Sequence, residues 1–403
     1  MSHAILKDMQ VPLALLGDRT GFDGTASGGL LRGDILMRAS RVTGMRPASE
    51  QRADPAILLP KLVDPHCHLD KCHTVDRLAD VGGDLTEAIA AQFEDKANWT
   101  DADLRTRATR GLQEYAASGT RLIRSHVDWG DGPEAPRSWH VLQELAQEST
   151  DVTLQLSALS SVIFMADPDY AKQVAETIPT GHALGMFVFG QEGYEAAIKH
   201  AFQQAQRLNL PLDFHVDEGL DPDLNGLEAI ADIALEMGHQ GPVLCGHAVS
   251  LSSRTESDAA RICDKLARAG IAVAMLPTTN LYLQGRNGGT PTARGLTLLH
   301  ELRRAGVPVV LGADNVRDAF CPVGRHDPRY ILELAIMAAH LDPPFDAWLP
   351  CITTDAALTI GHVANHINGA QLDDLLIAKA ADLSTLICGA PMAPATDYAE
   401  DIS

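Results

Sequence analysis

Four short segments carry residue types that could do chemistry together. In Asp64-Pro65-His66-Cys67-His68-Leu69-Asp70, two histidines stand two positions apart just after an apolar run. On an extended chain that spacing puts both imidazoles on one face. Two ring nitrogens there can clamp one divalent cation. Cys67 points the other way and reads as a small packing residue. Phe214-His215-Val216-Asp217-Glu218 ends a second apolar run. His215 could add a nitrogen ligand, and Glu218 could reach the same centre as a proton shuttle without binding the ion. Cys245-Gly246-His247-Ala248 and Leu311-Gly312-Ala313-Asp314-Asn315 end two more runs. A carboxylate such as Asp314, placed after so apolar a stretch, is costly to bury unless paired or ligated. Each segment alone also reads as an ordinary polar loop or helix cap. His126, in Ser125-His126-Val127-Asp128, reads as a supporting group on the same rim.

The elements that must position these residues follow from the apolar pattern. Eight short runs read as strands, over 56–63, 121–127, 153–159, 183–188, 211–216, 242–247, 271–276 and 307–312. Helical spacing fills 101–117, 191–208, 222–237, 256–269 and 293–305. Strand–helix alternation with continuously apolar strands reads as a parallel sheet buried on both faces. Eight units fit a (β/α)8 TIM barrel, an α/β fold whose site lies at the C-terminal strand ends. The four segments then end strands one, five, six and eight and converge on one pocket. Three His and one Asp would leave a coordination position open for water, as a catalytic site requires. The alternative, an open doubly wound sheet, predicts a glycine-rich phosphate turn, and no GxGxxG or GxxxxGK[ST] occurs. The loop 285–291 reads as a lid over the pocket or as plain solvent-facing chain.

Residues 1–57 look different. Gly33–Met37 and Arg41–Met45 read as a hairpin, part of a small, β-sandwich-like domain beside a barrel spanning 58–375. The segment 376–403 could complete that domain, although its tail 381–403, with one apolar run at 383–388 and a Pro- and acid-rich end, is expected to add little and to fray.

Composition narrows the functions. The chain has 403 residues, and its formal charge is 32 − 53 = −21. So acidic a surface repels phosphate backbones and anionic membranes, leaving small neutral molecules as partners. No apolar stretch is long enough to span a bilayer. The seven cysteines are odd in number and form no CxxC, which fits free thiols in a reducing cytoplasm. No GxSxG elbow is present, so a serine hydrolase of that type is excluded.

Taken together, the segments Val63–Lys71, Arg124–Asp128, His215–Glu218, Asn280–Arg286 and Gly312–Asn315 with Pro322-Val323-Gly324 resemble the amidohydrolase superfamily, and within it the bacterial cytosine deaminase branch. The run Asp314-Asn315-Val316-Arg317-Asp318 is also similar to the N-isopropylammelide amidohydrolases. The resemblance implies one divalent ion per subunit, Zn2+ or Fe2+, with His66, His68, His215 and Asp314 as ligands. It also implies catalytic roles for Glu218, His247 and Asp314. Dinuclear relatives carry a bridging Lys at the end of strand four, where this chain has Phe187-Val188-Phe189-Gly190. The substrate-facing positions depart from the cytosine deaminase pattern. Ser161 stands where a ring-reading Gln is expected, Asn315 replaces the second Asp of a pair, and Phe320 replaces a Trp. Gln284 is the remaining expected substrate contact.

The expected function is metal-dependent hydrolytic deamination of a small, cytosine-like aminated N-heterocycle. Attack on an amidine carbon would release ammonia. The alternatives are an amidohydrolase of N-alkylated triazines or cyclic amides, and a non-catalytic barrel used as a scaffold. A homo-oligomer is a common state for such barrels, and no motif here specifies one.

Overall fold

The computed structural model describes residues 4–79 and 81–401. Eight parallel strands pair in strict chain order. They are Leu62–Cys67, Thr120–Asp128, Thr153–Ser161, Ala183–Val188, Leu212–Val216, Val243–His247, Ala272–Met275 and Val309–Leu311. The first and last meet through the bridge Cys67–Asp314, with Asp314 N donating to the His66 carbonyl at 2.9 Å. The α/β barrel expected from the strand–helix alternation is therefore the observed fold. Its strands are largely apolar where they face the surrounding helices, as a sheet covered on both sides requires.

The barrel interior is divided. Strands six to eight contribute small apolar residues, among them Leu244, Ala274 and Val310, which pack on Ala356, Ala357 and Ile360 of a segment plugging the base. Strands two, three and five contribute polar side chains instead. Arg124 Nη1 lies 2.7 Å from Asp213, its Nε donates to Gln155 at 2.7 Å, and its Nη2 donates to the Ile360 carbonyl at 3.0 Å. All three polar side chains are buried, and pairing is what makes that burial tolerable.

The first expected strand is corrected. The run 56–63 is two strands in two sheets. Ile57–Pro60 belongs to the second sheet, and the barrel begins at Leu62. Pro60 has no N–H to continue a ladder, so the chain leaves one sheet there and enters the other after Lys61.

The second sheet has seven strands. Ala4–Pro12 pairs with Leu30–Arg38, which pairs with Arg41–Arg46 as the expected hairpin. Ile57–Pro60 runs antiparallel to Leu375–Ala378, which in turn pairs with Met392–Pro394. The segment after residue 376 is thus an integral part of this sheet, contrary to the expectation that it adds little. Fraying of the last two residues lies outside the described residues. Among the described residues no helix is long and apolar enough to cross a membrane.

Candidate active site

At the C-terminal strand ends a cluster of buried imidazoles and carboxylates forms. The alternation of a strand puts Asp64 with His66, Arg124 with His126 and Asp213 with His215 on the inward face. His68 follows as the first strand ends. His68 Nε2 is 3.1 Å from His215 Nε2 and 3.3 Å from Asp314 Oδ1, and His66 Nε2 is 3.5 Å from the same carboxylate oxygen. His126 packs its ring 4.0 Å from that of His66, with Nε2 3.0 Å from Asp213 Oδ1. His247 Nδ1 lies 3.4 Å from Glu218 Oε1 and 4.0 Å from Asp314 Oδ2. The structure therefore brings together His66, His68, His215, His247, Glu218 and Asp314, which come from strand ends one, five, six and eight.

The donor atoms fit a cation. Both nitrogens of His66, both carboxylate oxygens of Asp314, Nδ1 of His68 and Nδ1 of His215 are buried without a hydrogen-bond partner. Orphaned groups of this kind are expensive unless something satisfies them. Two overlapping sets have ligand atoms within 4.8 Å of one another. One is His66, His68, His126 and His215; the other is His66, His215, His247 and Asp314. Nitrogen and carboxylate donors of this sort suit zinc or iron.

Electrostatics support neutral rings at three of the imidazoles, whereas at His68 burial and Lys71 are outweighed by Asp314 and Asp70, which raise it above its ordinary range. Burial holds His215 well below its ordinary range and lowers His126 and His247 to about 3. Neutral rings are the ones that ligate metals. Burial opposes ionisation of Asp314, yet His247, His66 and His68 around it hold its carboxyl well below the usual range. Glu218 is the opposite case. Burial, and then the Asp314 charge, push it well above the usual carboxylate range. Two neighbouring carboxyls with pKa values driven apart are the arrangement expected of an acid–base pair.

The local backbone is bent to hold these groups. His247 and Asp314 adopt left-handed φ angles of 69° and 57°. Neither is glycine, so each conformation is strained and is held by its surroundings. Asp64, buried beneath His66, accepts Tyr115 Oη at 2.7 Å, His66 N at 3.0 Å and Ala313 N at 3.1 Å. It ties the first strand to the last. Burial raises its pKa to about 7 against those hydrogen bonds. Asp217 accepts Gly226 N at 3.0 Å and Leu227 N at 2.9 Å, fixing the helix Gly226–Met237 beside Glu218.

Two glycines make the seat of His66. A Cβ at Gly246 would lie 2.7 Å from His66 Cε1, and one at Gly312 would lie 2.7 Å from the His66 carbonyl oxygen. The second contact is with backbone and cannot swing away. Gly312→Ala should therefore destabilise the fold by about 1–3 kcal/mol and weaken metal retention. Denaturant unfolding and elemental analysis check this, and wild-type values for both would refute the role of Gly312.

A cavity of about 250 Å³ opens above the cluster. Ser161, Asn315 and Phe320 line it, as expected of substrate contacts. Asn315 is partly committed, since its Nδ2 donates to Asp318 at 2.7 Å. Gln284 falls elsewhere. Its Nε2 donates to the Glu218 carbonyl at 2.9 Å, so it steadies the backbone of Glu218. Asn280 does the same for His247, with Nδ2 3.1 Å from Nδ1. The loop 285–291 is tied down by Arg286, which donates to the Gly82 carbonyl at 2.6 Å.

The cavity has one wall that sequence reasoning missed. The helix Leu85–Asp95 contributes Leu85, Ile89, Gln92 and Phe93. A signal for it existed. Asp84 and Glu87 form a capping box, with the Asp84 side chain accepting from Glu87 N and Glu87 accepting from Asp84 N, and that spacing is readable before the helix. Gln92 is 2% exposed, and neither its Nε2 nor its Oε1 has a partner. Lys71 also lines the cavity, with Nζ 2.9 Å from Asp128 Oδ1 and 4.9 Å from the centre of the Phe320 ring.

Comparison with known proteins places this geometry. Residues 81–365 match the model of the Amidohydrolase family. The chain is 35% identical to the pterin deaminase of Rhizobium rhizogenes over 368 residues, 89% of this chain and 83% of that protein. It shares its fold with the 5-methylcytosine deaminase of Klebsiella pneumoniae, solved with 5-fluorocytosine. There the TM-score is 0.76 and the identity 23%, over 94% of this chain and 93% of that one. The N-isopropylammelide isopropylaminohydrolase of Burkholderia multivorans gives a TM-score of 0.71 at 24% identity, over 95% of this chain and 94% of that one. An eight-stranded parallel barrel with histidines and an aspartate gathered at its C-terminal rim, matched by a family model over most of its length, makes this chain a member of the amidohydrolase family.

Proposed function

We propose that the chain is a metal-dependent hydrolytic deaminase of an aminated N-heterocycle of the pterin class, with an amidine beside a lactam in one ring. The observation that carries this reading is the buried Gln92 amide, unpartnered at both ends, in the wall of the cavity that holds Glu218. An amide offers one donor and one acceptor side by side. That is the complement of a ring edge presenting a carbonyl next to an N–H. The Ser161 hydroxyl alone offers no such planar pair. Trp129, Phe187 and Phe320 supply flat walls for a planar ring. The pterin deaminase relative supports the same substrate class.

His66, His68, His215 and Asp314 would hold the ion. When bound, a divalent ion lowers the pKa of its water toward ~7. Asp314 accepts the proton of the attacking water. Glu218, its carboxyl pushed well above the usual range by burial and by Asp314, donates to a ring nitrogen and makes the adjacent amidine carbon electrophilic. Glu218 then takes the proton left on the added oxygen and passes it to the exocyclic nitrogen, which leaves as ammonia, and the proton held by Asp314 returns to Glu218. The carbon keeps the water oxygen as a carbonyl. His247, steadied by Asn280, sits between the two carboxyls and orients the attacking water.

The test is ammonia release by the metal-loaded enzyme from pterin, cytosine, 5-methylcytosine and N-isopropylammelide. The highest kcat/KM is expected on pterin. Gln92→Leu should lower that value by roughly 10²-fold or more, with metal content unchanged. Release of isopropylamine from N-isopropylammelide as the fastest reaction would overturn the reading.

A further inference from the structure

A second group of metal-ligating side chains lies outside the cavity. Cys72, His73 and His326 each offer a ligand atom within 4.8 Å of the others. The His73 side chain is 3% exposed, and neither ring nitrogen has a hydrogen-bond partner. The His326 side chain is fully buried, with Nδ1 2.8 Å from Glu114 Oε2 and Nε2 unpartnered. Glu114 Oε2 is also 3.4 Å from His73 Nε2. The Cys72 thiol is buried and makes only long contacts, at 3.5 Å to the Leu69 carbonyl and 3.6 Å to that of Arg107.

Two further features shape the group. His73 holds a left-handed φ of 59°, a strained conformation for a non-glycine residue. Gly111 packs directly against the cluster, where a Cβ would lie 2.6 Å from Leu69 Cδ2, 3.2 Å from His326 Cε1 and 3.6 Å from Cys72 Sγ, so a side chain there would press on Leu69 and on the imidazole.

We propose that Cys72, His73 and His326, with the Glu114 carboxylate beside them, form a second, structural zinc site. A thiolate and two imidazoles are donors that Zn2+ takes, with water completing four-coordination. A carboxylate on the far nitrogen of a ligating histidine is the common way of fixing its tautomer. Zinc binding displaces the Cys72 thiol proton to solvent, so one proton leaves for each ion bound at that sulfur. Glu114, with its side chain 35% exposed, marks the side open to solvent. The site would pin the loop after the first barrel strand, which carries Lys71 of the cavity wall, to the helix Asp101–Ala117 and to the segment after Asp318.

The experiment uses the purified full chain, loaded with Zn2+ or with Co2+. Elemental analysis should find two equivalents of zinc per chain in the wild type and one in Cys72→Ser. The cobalt form should show a near-ultraviolet thiolate-to-cobalt charge-transfer band, which the active-site donors, all nitrogen and oxygen, cannot produce. Cys72→Ser and His326→Gln should each abolish that band. One zinc per chain with no thiolate band in the wild type would overturn the proposal, and that measurement needs no variant to fold. A band that survives Cys72→Ser would overturn it equally.

Discussion

Glu218→Gln should remove about 10³-fold of kcat, or more, while leaving the metal content at the wild-type level. General acid–base groups contribute about 10²–10⁴-fold, and Glu218 is assigned two successive transfers. Its carboxyl is buried, lies 3.4 Å from His247, and is pushed well above the usual carboxylate range by burial and by Asp314. Glutamine keeps the shape and a donor but cannot release and regain a proton. Substrate should still bind, so KM should change far less than kcat. Single-turnover kinetics together with elemental analysis read both quantities. A kcat within a few-fold of wild type would remove Glu218 from the mechanism.

His215→Ala should strip the active-site ion and abolish turnover. His215 belongs to both overlapping ligand sets and lies 3.1 Å from His68. An ion present at 100 to 1,000 times its Kd stabilises a fold by roughly 3–4 kcal/mol. The variant should therefore melt earlier than the metal-loaded wild type and close to the chelated wild type. Its Tm should no longer respond to added zinc through this site. Normal retention of the active-site ion, with a zinc-dependent Tm, would show that His126 or His247 takes the ligand role instead.

Much of the site was legible because barrel strands are short and end where the chemistry is. His215 and His247 stand at the end of an apolar run, and His66 and Asp314 come within three residues after one, and the barrel turns that local fact into convergence. Other parts were hidden for physical reasons. The run 56–63 is apolar from end to end, and apolarity does not say which sheet a residue joins. Only Pro60, which cannot donate to a ladder, marks the break. The strands Leu375–Ala378 and Met392–Pro394 have four and three residues, too few for a period to show. Arg124 and Asp213 sit within apolar runs and carry no motif, and their pairing inside the barrel follows only from the closed sheet. Gln284 was expected at the ring because its neighbours resemble a substrate-binding run, but the fold directs its amide to the backbone of Glu218. Gln92 had no motif at all, since a single amide on a helix acquires meaning only from what stands opposite.

The joint between the first and last barrel strands is thin, consisting of one bridge, the bond from Asp314 N to the His66 carbonyl, and the Asp64 carboxylate reaching across to Ala313. His66 stands on one lip of that joint and Asp314 on the other. A cation held by both would act as a rivet, and the fold would then be completed by the same part that makes it reactive. New specificities can then arise cheaply only on the detachable furniture around the rim, such as the helix bearing Gln92, because tinkering at the rivet loosens the wall.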